Sequence, residues 1–168
     1  MRSLQLAVIL SAALAGSVAG AASAAPTGSQ ASFGCKVLQR TLSGTPAGKH
    51  LKRFVAAGAN ACVSDSGGAE PWRALIDLGL GSNHARAACK VLQADQSVTF
   101  RRLTKAASGA DLACVGSSSS SQGGRFSITA YFDKGRWSGM LGLEGPNGGA
   151  SGSSGPPLLK KVTAQLPR

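Results

Sequence analysis

The chain is short of acid, of aromatics and of histidine, and each shortage narrows what it does. Only 7 Asp and Glu stand against 18 Lys and Arg, for a formal net charge of +11. A surface that lopsided attracts acidic partners by long-range steering, although charge of this kind also serves solubility alone. Aromatic residues make up 5% of the chain and do not interleave with the basic ones, which excludes the stacking platform of a nucleic-acid binder. Two histidines, His50 and His84, leave little for acid–base chemistry near neutral pH. No apolar run is long enough for a convincing membrane span. The 4 cysteines include no C-x-x-C pair and no Cys/His cluster, so no metal, redox dithiol or cofactor is expected.

What is present begins with the opening "MRSLQLAVILSAALAGSVAGAASAAPTG". Arg2 supplies a positive start, Leu4–Leu14 an apolar stretch and Ala22–Ala25 the small residues of a cleavage site. Residues 1–24 therefore read as a secretion signal, and the mature chain as extracellular. An even set of cysteines in an exported chain implies two disulfides. The expected organisation is a stapled domain over residues 25–144 and a flexible Gly/Ser/Pro-rich tail over 145–168.

Four short helices are expected first. "SFGCKVLQRTLSG" places Cys35, Leu38 and Leu42 on one face, with Ser32 as cap and Gly44 as stop. "TPAGKHLKRFVAAG" has Thr45 as cap, Pro46 at the first helical position and an apolar stripe of Leu51, Phe54 and Val55. "EPWRALIDLGL" spaces Trp72, Leu75, Ile76 and Leu80 as a helix would, and "SNHARAACKVLQAD" lines up Ala85, Ala88, Cys89 and Leu92. Strands follow. "SVTFRRL" alternates, and "RFSITAYF-DKGR-WSGMLGL" is a hairpin with "DKG" at its turn. "GSSSSSQGG" and the tail "GPNGGASGSSGPP" have little to bury and are expected to be flexible. Helices first and strands later give an α+β class, with short N-terminal helices packed on a small antiparallel sheet.

The pentapeptide "CKVLQ" occurs twice, at Cys35–Gln39 and Cys89–Gln93, and each copy is followed by an Ala-Cys-Val. This outlines a candidate repeat over residues 35–62 and 89–114. Four cysteines allow three pairings; equivalence of the two units selects Cys35–Cys62 and Cys89–Cys114. Residues between the matched ends agree poorly.

No catalytic motif completes itself. "SGTPAGKH" is one residue short of a phosphate loop and carries His50 where a hydroxyl is needed. Ser82, His84 and Asp77 lack a geometry for nucleophilic catalysis, and Ser82 reads as a helix cap. The acids lie mostly at caps and turns rather than as a pair flanking a substrate. An enzyme is not expected. The basic clusters remain: Lys49, Lys52 and Arg53, then Arg101, Arg102 and Lys105, at matching places after the first cysteine of each unit.

With a signal peptide, two cysteine pairs, a compact middle and a Gly-rich tail, the chain resembles the four-cysteine secreted effectors of smut fungi. That resemblance implies a virulence protein acting in the plant apoplast by blocking a host peroxidase. "GSNHARAACKVLQA" is also similar to the Gly-Thr-His-Pro…Ala-Cys helix of the bacterial subtilisin-inhibitor family, and "DKGRWSG" to its Gly-x-Trp-x-Gly hairpin. This implies a serine-protease inhibitor, although the cysteine that follows that hairpin in the family has no counterpart after Trp137. The expected function is a secreted binding protein that occludes an acidic extracellular enzyme, held by Lys49, Lys52, Arg53, Arg101 and Arg102. The alternative is a binder of anionic wall polysaccharide. Neither nucleic acid nor membrane is an expected partner.

Overall fold

Residues 32–68, 71–81, 84–120, 124–147 and 152–167 are described in a computed structural model. The signal expected over 1–24 and the cap expected at Ser82 lie outside them. The first helix, α1 (Phe33–Leu42), starts as expected: the Ser32 hydroxyl accepts the Cys35 N–H at 3.2 Å. Cys35, Leu38 and Leu42 form its buried stripe. Gly34 lets α1 approach the chain beneath it, since a Cβ there would run into the Asn60 carbonyl oxygen.

The second expected helix is cut short. Only α2 (Pro46–His50) is helical, capped by the Thr45 hydroxyl, which accepts the Gly48 N–H at 3.1 Å. The chain then extends into β1 (Phe54–Ala56), because Phe54 and Val55 are strand formers with a partner in β2 (Ala61–Asp65). The third expected helix is a strand, β3 (Arg73–Leu80). Its apolar residues satisfy periods of 3.6 and 2 alike. Pairing with β2 on one side and β7 (Trp137–Pro146) on the other selects the second, burying Ala74, Ile76 and Leu78. The fourth helix, α3 (His84–Ala94), is present as expected.

The strands β4 (Thr99–Leu103), β5 (Leu112–Ser120) and β6 (Arg125–Lys134) complete the sheet, with the short helix α4 (Lys105–Ser108) between β4 and β5. The order is β1-β2-β3-β7-β6-β5-β4, and every neighbouring pair is antiparallel. The β6–β7 hairpin turns at Gly135, whose φ of 56° suits the glycine of "DKG". Most of "GSSSSSQGG" is strand rather than flexible linker. β6 holds Gly116–Ser120 in register, and the hydroxyls of Ser118 and Ser127 bond at 2.9 Å; residues 121–123 lie outside the described set.

The tail also departs from expectation. Past residues 148–151, which are not described, a 3-10 turn leads into α5 (Gly155–Gln165). Pro156 and Pro157 start this helix, as the missing N–H of proline allows. Leu158, Leu159, Val162 and Leu166 bury its inner stripe. The Thr163 hydroxyl donates to the Ser108 carbonyl at 2.6 Å, and Gln165 donates to the Thr41 hydroxyl at 3.1 Å. The last helix is thus part of the core and not an appendage.

Two disulfides pair as the repeat requires, Cys35–Cys62 and Cys89–Cys114. Each ties a helix to the middle strand of a three-stranded unit: α1 to β2 of β1–β2–β3, and α3 to β5 of β4–β5–β6. In register, Cys62 leads through Ile76 to Leu141, whereas Cys114 leads through Tyr131 to Met140. Met140 and Leu141 are consecutive on β7 and point to opposite faces. The bridges therefore lie on opposite faces of the sheet. By strand order and register a pseudo-two-fold axis along β7 relates the strands of the units, setting β1, β2 and β3 against β4, β5 and β6 and exchanging the faces. On one face α1 and α5 cover the main core of Leu38, Leu42, Ile76, Ile128, Phe132 and Leu159. On the other lies α3, where Gly116 makes room for Leu92: a Cβ there would come within 2.7 Å of it. The α+β class holds, with a sheet larger than expected.

Candidate functional site

The five cations singled out in the sequence are exposed, yet they do not form one patch. Lys49 lies in the last turn of α2, and Lys52 and Arg53 lead into β1. Arg53 is anchored through its backbone, whose carbonyl accepts the Ser64 hydroxyl at 2.7 Å. Arg101 and Arg102 stand on β4. β1 and β4 are the two edges of the seven-stranded sheet. Six inter-strand steps of about 4.8 Å put the clusters roughly 29 Å apart.

Two other groupings are closer. Exposed Lys36 and Arg40 on α1 lie with exposed Lys160 and Lys161 on α5, a helix packed beside it. Neither helix carries an acid. Lys161 donates to the Ser43 carbonyl at 3.2 Å, bridging α5 to the end of α1. This layer is hidden in the sequence because the glycine- and serine-rich stretch before α5 reads as loose tail. Its local signal was the run "LLKKV", with apolar residues at i, i+1 and i+4 and the lysines between them. The second grouping gathers Arg86 and Lys90 from α3 and Arg102 from β4 around a cleft of about 550 Å³.

Four of the carboxylates are committed elsewhere. Asp65 accepts the Gly67 N–H and pairs with Arg73 at 2.8 Å, and these two contacts hold its pKa below the ordinary value. Asp95 is held low by the hydroxyl and N–H of Ser97. Asp111 is held low first by Lys105, at 2.7 Å, and then by the Gly135 N–H. Asp133 is buried and accepts the Ala85 N–H at 3.3 Å, near the start of α3. Burial raises the pKa of Tyr131. Arg73 and Lys105 are the cations in ion pairs among the described residues.

The candidate chemical groups are scattered. His50 stacks on Trp72 with ring centroids 5.6 Å apart. His84 opens α3 and makes no hydrogen bond to Asp77 on β3 among the described residues. Asp77 and Glu144 share a sheet face, but Glu144 is in register with Arg73, four residues from Asp77. That offset is roughly 13 Å along the strands, beyond the span of a glycosidase carboxylate pair. Among the described residues no group of three His, Cys, Asp or Glu is placed to hold a metal, and no helix is long and apolar enough to cross a membrane. The two disulfides fit an oxidising, extracytoplasmic compartment. After Cys114 the chain runs inside the sheet between β4 and β6 through Ser117, rather than as a protruding loop.

Compared with known protein families, with characterised proteins and with solved structures, the chain matches none of them.

Proposed function

We propose that this is a secreted, non-catalytic protein that binds an acidic extracellular enzyme and blocks it by covering its surface. The observation that carries the reading is the one-signed helix layer. Lys36, Arg40, Lys160 and Lys161 face solvent from two adjacent helices that contain no acid. Beneath them Leu38, Leu42, Leu159 and Val162 are buried and Cys35 is bridged to Cys62, so the charges stand on a rigid base. Fixed charges of one sign focus a field that raises the encounter rate with an acidic surface, and that gain falls with salt.

The test is association of the purified mature chain with a panel of acidic extracellular peroxidases and subtilisin-class proteases, read by biosensor and by residual activity. A stoichiometric, inhibited complex is expected. Combined reversal of Lys36, Arg40, Lys160 and Lys161 to Glu should slow association about tenfold or more and flatten its salt dependence. Unchanged association by that variant would defeat the reading.

A second reading, binding of anionic wall polysaccharide, draws on the roughly 29 Å between the edge clusters, a separation that suits a long polyanion. Retention on washed polygalacturonate, with elution by salt, would favour it.

A further inference from the structure

The cleft between α3 and β4 is built differently from the helix layer. Arg86 and Lys90 are four residues apart on α3 and so share one side of that helix. Arg102 comes from β4, and its register partner is Cys114, which is bridged to Cys89 of α3. Arg102 therefore rises on the face that α3 covers, and three cations from two elements line one cleft with Leu112. None of the three side chains has a hydrogen-bond or ion-pair partner among the described residues. The one acid on the wall, Asp111, is already engaged by Lys105 at 2.7 Å.

β4 is also an edge. It pairs with β5 on one side and ends the sheet on the other. Thr99, Arg101 and Arg102 are exposed along it. Consecutive strand residues point to opposite faces, so Arg102 serves the cleft while Arg101 serves the opposite face. Like charges discourage two copies of this edge from pairing with each other. They leave it open to an extended chain of opposite charge.

We propose that β4 and the α3 cleft form a docking site for an acidic extended peptide segment of a protein partner. The segment adds as an eighth strand. One of two adjacent acidic residues enters the cleft among Arg86, Lys90 and Arg102, and its neighbour meets Arg101 on the far face. A polysaccharide offers no ladder of N–H and C=O groups to such an edge, whereas a peptide satisfies the edge and the alternating charges together. The site goes beyond the proposed function: it rests on that reading in requiring an acidic protein partner, but takes an acidic segment on a surface separate from the α1–α5 layer.

The probes are a blocked hexapeptide with two adjacent glutamates flanked by valine and threonine, its glutamine analogue, and tri-galacturonate. Each is titrated into the isotope-labelled full mature chain and followed by amide shifts and hydrogen exchange. The glutamate peptide should shift and protect amides of β4. Arg102→Glu, and the pair Arg86→Glu with Lys90→Glu, should each weaken it about tenfold or more, as should the glutamine analogue. Arg102→Gln, at an exposed position, checks that any loss follows charge rather than folding, and near-ultraviolet circular dichroism should match the parent. The proposal is overturned by shifts centred on α1 and α5, by variants that bind as the parent does, or by tri-galacturonate binding as tightly as the peptide. If these variants bind as the parent while reversal of the helix layer abolishes enzyme binding, the docking site fails and the proposed function stands. If β4 binds the peptide but no acidic enzyme is bound, the proposed function fails and the site stands.

Discussion

Leu159 decides whether the last helix belongs to the fold. It is 0% exposed and packs in the core formed by α1, α5 and the sheet. Replacing it by Ala removes three carbons, about 2.4 kcal/mol of transfer free energy at ~0.8 kcal/mol each. The cavity left behind adds to that, because residues sharing the core, such as Leu38 and Ile128, are themselves held by secondary structure and a disulfide-braced helix. A total near 3 to 4 kcal/mol is expected, about the middle of the range for buried leucines. With a urea dependence of about 1.5 kcal/mol per M, the unfolding midpoint should fall by about 2 M. The control is Lys160→Ala, one residue away on the exposed side of α5, which should change stability by under about 0.5 kcal/mol. Both substitutions place Ala in the same helix, so their difference isolates burial. Equal midpoints for the two variants would refute the packing of α5 and restore the tail as an appendage.

Replacing Cys89 and Cys114 together by Ala should cost about 3.5 kcal/mol in the loop-entropy picture, seen as a melting temperature lower by roughly 10 °C, and peptide mapping should still recover Cys35 bridged to Cys62. Gly34→Ala should destabilise by about 1–3 kcal/mol in urea titration, because its methyl would meet backbone at Asn60 rather than a side chain that could move; a neutral result would show that α1 shifts freely. Asp65, Asp95 and Asp111 have folded pKa values below the ordinary 3.8, so their contribution is complete above the unfolded value and is lost as pH falls through the folded ones. The melting temperature should hold from pH 7 to about pH 5 and drop below about pH 4. Asp111→Asn should flatten part of that drop, and an unchanged profile would count against the Lys105 and Gly135 contacts.

α1 and α3 announce themselves by apolar spacing, and α1 also by its cap; the β6–β7 hairpin does so by alternation around "DKG". The disulfide pairing followed from the doubled pentapeptide. β3 could not be settled locally, because Leu75, Ile76 and Leu80 fit a helix while Ala74, Ile76 and Leu78 fit a strand. Its partners β2 and β7 are supplied by distant sequence. α5 was obscured by the glycine and serine before it, although its own stripe is regular. The exposure of the five basic residues was legible from charge alone. Their division between two sheet edges was not, since strand order is a property of the whole chain. The meeting of Arg86 and Lys90 with Arg102 likewise depends on a register that only the fold defines.

The pseudo-two-fold explains both halves of the repeat's behaviour. The matched ends are the helix position and the strand position that each disulfide joins, and these must keep one relation on both faces of the sheet. The middles disagree because α2 precedes the edge strand β1 in the first unit, whereas α4 follows β4 in the second. The same operation compares the two edges residue by residue. Superposing Cys35 on Cys89 and Cys62 on Cys114 sets Lys36 against Lys90, Ser32 against Arg86, and Ala56, the register partner of Cys62, against Arg102. The lysine of "CKVLQ" is thus shared, but the two arginines of the cleft exist only in the second unit. Its edge strand is longer too, five residues against three. A general need for solubility or for guarded edges would be met by cations at either edge, and Lys52 and Arg53 already meet it at β1. It does not account for two arginines converging from separate elements on one side of the pseudo-symmetric pair. That asymmetry, on a scaffold that otherwise repeats itself, is the reason to look at β4 for an acidic segment in addition to the surface met by the α1–α5 layer.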